Sequence, residues 1–139
     1  MIILLNFFFI SINNYAKIVV IVNKSNKIKV LSKSMLKKIF LGKKTRWNDG
    51  RKIKAINLHP SLIVRKNFEK EFLKMSPRKV QKYWIRQAIR GNIYPPVTLS
   101  YQSIVLRNVV QDKGAIGYVE KKFLKVKLLK WIKIIRIKK

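Results

Sequence analysis

Residues Lys17 to Asn23, KIVVIVN, set the first constraint on this chain. Five consecutive β-branched residues between two polar ones cannot alternate core with solvent. They form a strand only where both of its faces are covered, as in a sheet with helices on either side.

The rest of the chain offers those helices, punctuated by caps and breakers. LSKSMLKKIFLG places Leu36, Ile39 and Phe40 on one helical face, with Ser32 as N-cap and Gly42 where a left-handed residue ends the helix. Asn48, Asp49 and Gly50 read as a turn, and Ile53 to Ile56 as a short strand. HPSLIVRKNFEKEFLKMSP carries Leu62, Arg65, Phe68 and Phe72 about a turn apart, on a helix opened by Pro60 and Ser61. Ser76 and Pro77 then open a third helix, with Val80, Trp84, Gln87 and Ala88 on one side and Gly91 at its end. NIYPPV is a loop, because Pro96 restricts Pro95 before it.

A fourth helix, capped at Ser100, buries Ile104 or Val105, Leu106, and Val109 or Val110, and stops at Gly114. DKGAIGYV follows as a helix stop, a short buried strand and then an exposed aromatic, one glycine ending the helix and the other marking a bulge or a place where another backbone or a ligand comes close. The tail FLKVKLLKWIKIIRIKK fits two periods. Lys125 to Leu128 alternates, whereas Leu124, Leu128, Trp131 and Ile135 would line a helix; we read a strand near Val126 and then a frayed basic end. Trp47 and Trp84 each sit beside an apolar helical face and are expected in the core. Alternating strand and helix signals in a chain of 139 residues predict one domain, a three-layer α/β sandwich.

Charge is the second constraint. The chain has 33 Lys plus Arg against 5 Asp plus Glu, a net charge of +28, and no cysteine. Such a balance points to nucleic acid or an anionic surface when it is clustered. Here lysines run through the whole chain and outnumber arginines about threefold, a pattern of solvated positions filled with Lys. A basic nucleic-acid- or anionic-surface-binding protein is the alternative function class. The absence of cysteine excludes a disulfide framework.

At the N-terminus, Ile2 to Ile12 is an apolar run of signal-peptide length, too short to span a bilayer as a helix, with Ala16 before a cleavage point. This divides the chain into an expected signal peptide, 1–16, and a domain, 17–139, with a basic tail. An exported protein is the expectation.

Catalytic patterns are lacking. Asp49, Glu69, Glu71, Asp112 and Glu120 are dispersed, Glu69 and Glu71 face different ways at a spacing of two, and His59 stands alone. Zinc spacings, phosphate loops and dinucleotide glycines are missing, so neither an enzyme nor a cofactor is expected. One place suits an anion. NLHPSLIVR sets Ser61 at the start of a helix that follows a strand, where first-turn amides lack intrahelical acceptors, with Arg65 a turn further on. Equally, Ser61 is simply a cap and Arg65 a solvated side chain.

IVVIVN, LSKSMLKKIFLGKKTRWNDGRKI, VRKNFEKEFLKMSPRKVQKYWIRQAIRGNIYPPV and DKGAIGYV, in this order over Ile18 to Val119, resemble the small single-chain relatives of the phosphate ABC transporter substrate-binding proteins. The resemblance implies an exported periplasmic-binding-protein-like α/β fold, similar to one lobe of a type II binding protein, that binds a solute without chemistry. It implies inorganic phosphate or a similar oxyanion as ligand, carried over onto Ser61 and Arg65, with the Leu62 amide of the first turn beside them, and a transporter or a second chain as partner. Ser61 is followed by Leu62 and Ile63 where the larger relatives have glycine and a hydroxyl residue, and only a short tail remains after Val119 to cover a bound solute.

Overall fold

The computed structural model describes residues 16–91 and 93–139. The expected signal segment 1–16, with the apolar run Ile2 to Ile12, lies outside the described residues except for Ala16.

Six strands form one mixed sheet. β1 is Ile18–Asn23, β2 Val30–Ser32, β3 Lys54–Leu58, β4 Val97–Leu99, β5 Ala115–Glu120 and β6 Ile132–Lys138, in the order β2-β6-β1-β5-β3-β4. β1 is antiparallel to both neighbours, pairing Val20 with Tyr118 of β5 and with Ile135 of β6. All six of its residues are buried, as an unbroken β-branched run requires. The helices are α1 (Lys33–Phe40), α2 (Ile63–Phe68) running into a π turn (Glu69–Leu73), α3 (Pro77–Arg90) and α4 (Gln102–Gln111).

β5 shows why the sandwich has three layers. Successive side chains of a strand point to opposite faces. Tyr118, expected as an exposed aromatic, is fully buried, because it stacks on Phe68 of α2 with centroids 3.7 Å apart and Phe40 of α1 lies 5.9 Å away. Gly117, one residue earlier, faces α4 so closely that a Cβ there would sit 2.8 Å from Val105 Cγ1. Val105, Leu106 and Val109 are the buried residues of α4. Asn23 ties this layer to β1, its side-chain amide donating to the Val109 and Val110 carbonyls at 2.9 and 3.0 Å.

Several expectations need correction. β6, and not a strand at Val126, is the C-terminal strand; Val126–Lys130 is a 3-10 turn, and a second one covers Lys121–Phe123. The tail is no frayed end, because β6 lies between β1 and β2, where Ile132 and Ile135 are buried. Without it β1 would expose a backbone edge and an apolar face. Ser100 does not cap α4; Tyr101 takes the N-cap position and makes no side-chain bond. Gly114 is not a left-handed helix stop, since the glycines with positive φ are Gly42, Gly50 and Gly91. Glycine is required at 114 because a Cβ there would lie 2.2 Å from the Lys52 carbonyl oxygen.

The two tryptophans part company. Trp47 is buried and its indole donates to the Gly114 carbonyl at 3.0 Å. Trp84 is only half-buried, because α3 buries Val80 alone and leaves Ile85 and Ile89 exposed. α3 is held at the end of α1, where the Tyr83 hydroxyl donates to the Leu41 carbonyl at 2.6 Å.

Candidate functional site

The corner after β3 is built on a buried polar joint. Asn57 and Tyr118 are buried, and the Tyr118 hydroxyl donates to Asn57 Oδ1, which also accepts from the Leu58 amide at 2.9 Å. Burial pushes the Tyr118 hydroxyl well above its ordinary pKa, while its backbone bond at Leu58 and the Arg65 charge act the other way. The joint fixes Leu58, whose carbonyl then accepts from Arg65 Nη1 at 2.8 Å.

Arg65 is therefore a brace rather than a solvated side chain. Its Nε donates to Glu69 Oε1 at 2.5 Å, one turn on, and Glu69 is 1% exposed. A carboxylate so deeply placed needs this partner, since an unpaired buried charge is costly. The sequence reading counted Glu69 among the dispersed carboxylates and missed its pairing with Arg65, although four residues is the ion-pair spacing of a helix.

Ser61 and Leu62 lie differently from what the sequence implied. The N-cap of α2 is Leu62, which makes no side-chain bond. Ser61 is exposed, and its amide donates to His59 Nδ1 at 3.2 Å, with its hydroxyl 2.7 Å from the same nitrogen. The Leu62 amide is spent on the His59 carbonyl at 3.0 Å. Asp112, at the other end of the sheet layer, accepts from the Gly114 amide at 2.8 Å and closes the turn into β5.

Beside this corner lies a groove of about 900 Å³. Pro60, Arg65 and Glu69 line one side, Arg78, Gln81, Trp84 and Ile85 of α3 the other, and Tyr94, Pro95 and Thr98 its end. The fold thus brings Arg65 into the groove and leaves Ser61 and Leu62 outside its lining. With Glu69 matched by Arg65, Arg78 gives the groove a net positive charge against a largely apolar wall.

No protein-family model matches the chain, and no curated protein matches it. Solved structures do. An ABC-type phosphate transport receptor from Vibrio cholerae aligns with a TM-score of 0.67 and 18% identity, covering 86% of this chain and 45% of the receptor. PstS from Borrelia burgdorferi aligns with a TM-score of 0.66 and 18% identity, covering 86% of this chain and 46% of that one. The chain spans less than half the length of either. Its fold is that of one lobe of a periplasmic-binding-protein-like receptor. The particular lobes it matches are those of the phosphate ABC transporter substrate-binding proteins.

Proposed function

We propose that this protein is an exported, non-catalytic binding lobe whose ligand is phosphate or a similar oxyanion. The observation that carries the reading is the match of its fold to one lobe of phosphate receptors, with Arg65 at the corner where β3 passes into α2. The Ser61 hydroxyl, the first-turn amides that follow Leu62 and the free edge of the Arg65 guanidinium are the proposed ligands. The Arg65 charge is already answered by Glu69, and one lobe excludes water from one side only. Binding to the isolated chain is therefore weak, about 1 mM or roughly 4 kcal/mol. A second chain or a transporter component would close the site, and the periplasm is the proposed location.

The test is a phosphate titration followed by amide NMR. Arg65→Ala is a poor probe, since stripping Glu69 of its partner would cost about 3 to 5 kcal/mol of stability. Arg65→Lys keeps a charge but loses the fork, and Ser61→Ala removes the hydroxyl. Saturable shifts centred on residues 61–65, weakened in both variants, support the reading. Shifts scattered over exposed lysines, without saturation, would sink it.

A further inference from the structure

The connection from β5 to β6 lies outside the proposed oxyanion site and exposes four large apolar side chains. β5 and β6 are both antiparallel to β1 and flank it, so residues 121–131 must cross the sheet over β1. Such crossovers are usually helices. Here the span is two 3-10 turns, Lys121–Phe123 and Val126–Lys130.

Its side chains divide into two sets. Leu124 and Leu128 pack against the core and pin the span to the sheet. Phe123, Val126, Leu129 and Trp131 point away, exposed at 40, 83, 40 and 46%. Val126 and Leu129 are three apart, and in a 3-10 turn residues three apart lie one above the other. Lys121, Lys122, Lys125, Lys127 and Lys130 are interleaved with them, and no acidic side chain follows Glu120. Glu120 pairs with Lys122 at 3.4 Å, leaving the other four lysines without an ion pair among the described residues. Lys130 Nζ sits 4.0 Å over the Trp131 ring.

From this arrangement we infer that residues 121–131 are a docking surface for an anionic lipid bilayer. Exposed apolar side chains on a turn, ringed by lysine, gain from both parts of a headgroup region. The apolar tips enter the acyl boundary, Trp131 takes the interfacial position its amphipathic ring prefers, and the ammonium groups meet lipid phosphates. An acidic peptide would need a concavity, and none of these residues lines the larger cavities of the molecule. Nucleic acid is disfavoured because the one exposed indole is already covered by Lys130 and the span contains no arginine. The start of the span is fixed in place, because the Lys121 amide donates to the Lys17 carbonyl at 2.8 Å.

The experiment is cosedimentation of the full chain with phosphatidylcholine vesicles, with and without phosphatidylglycerol. Reversal at Lys121, Lys125, Lys127 and Lys130 (each Lys→Glu) is compared with reversal at Lys66, Lys70, Lys79 and Lys82, four exposed lysines elsewhere, after circular dichroism has shown both variants folded. The first set should lower partition onto anionic vesicles about a hundredfold, and the second less than about threefold. Brominated acyl chains should quench the parent's fluorescence and leave Trp131→Phe unquenched. Equal losses from the two sets would mean that only diffuse charge is at work and overturn the inference. So would quenching that survives Trp131→Phe, or binding of single-stranded RNA through this span with no affinity for vesicles.

Discussion

At the residue scale, Gly117 shows how little room the two-sided sheet leaves. The strand it belongs to is covered by α4, and the nearest α4 atom stands 2.8 Å from where a Cβ would be. A real Cβ there forces Val105 aside. Gly117→Ala should therefore destabilise by about 1 to 3 kcal/mol through overpacking. Val105→Ala opens space at the same point, so the double variant should fall short of the sum of the single losses by about 1 kcal/mol or more in a double-mutant cycle measured by urea unfolding. Gly114 is under a harder constraint. Its neighbour is the Lys52 carbonyl oxygen at 2.2 Å, and backbone cannot rotate away as a valine methyl can. The sequence made both glycines legible as special, and read a close approach at Gly117 but a helix stop at Gly114. A glycine after a helix suggests positive φ, whereas close approach depends on which strand lies beside it.

At the scale of elements, α1 and α3 carry caps of equal quality and differ in what they bury. Ser32 and Ser76 each accept from an amide in the first helical turn, at 3.0 and 3.3 Å. Yet α1 buries Leu36, Ile39 and Phe40, while the longer α3 buries only Val80. Periodicity finds a face without telling how much of it is covered. The consequence is testable on the tryptophans. Trp47→Ala empties a buried site and removes an indole donor, which should cost about 3 to 5 kcal/mol. Trp84 already has much of its surface in water, so Trp84→Ala should cost about 1 to 2 kcal/mol. Urea midpoints would separate them, and a larger loss at Trp84 would contradict the packing described for α3. The same helix gives the groove its apolar wall, a role its half-covered face allows and a fully buried one would not.

Across the whole molecule, charge opposes folding more than it assists it. With 33 basic residues and 5 acidic ones, ion pairs are few, and among the described residues Arg65–Glu69 is the one that is buried. Crowding is visible at Lys133, whose pKa is lowered first by burial and then by Lys29 and Lys24. Compaction brings such like charges together, and salt relieves the repulsion. Thermal unfolding should therefore rise by about 5 °C or more between about 0.01 M and about 0.5 M sodium chloride. A flat or falling Tm would show that the lysines are already far enough apart to ignore one another.

Which features the sequence settled alone follows from the range of the forces involved. Caps, breakers and β-branched runs act over a few residues, so α1, α3, β1 and β5 were legible, and with them the layered α/β class. What only the tertiary structure decided is long-range. The three-residue strands β2 and β4 carry too few residues for a pattern and exist because β6 and β3 offer edges. β6 itself comes from a tail that fits two periods, resolved because β1 needs a second neighbour. At the candidate site, Ser61 and Arg65 were visible as residue types beside a helix start. Whether Arg65 faced water or a buried Glu69 depended on how α2 packs against β3 and β5 and the π turn against α1, a matter of contact between segments that local propensity does not encode.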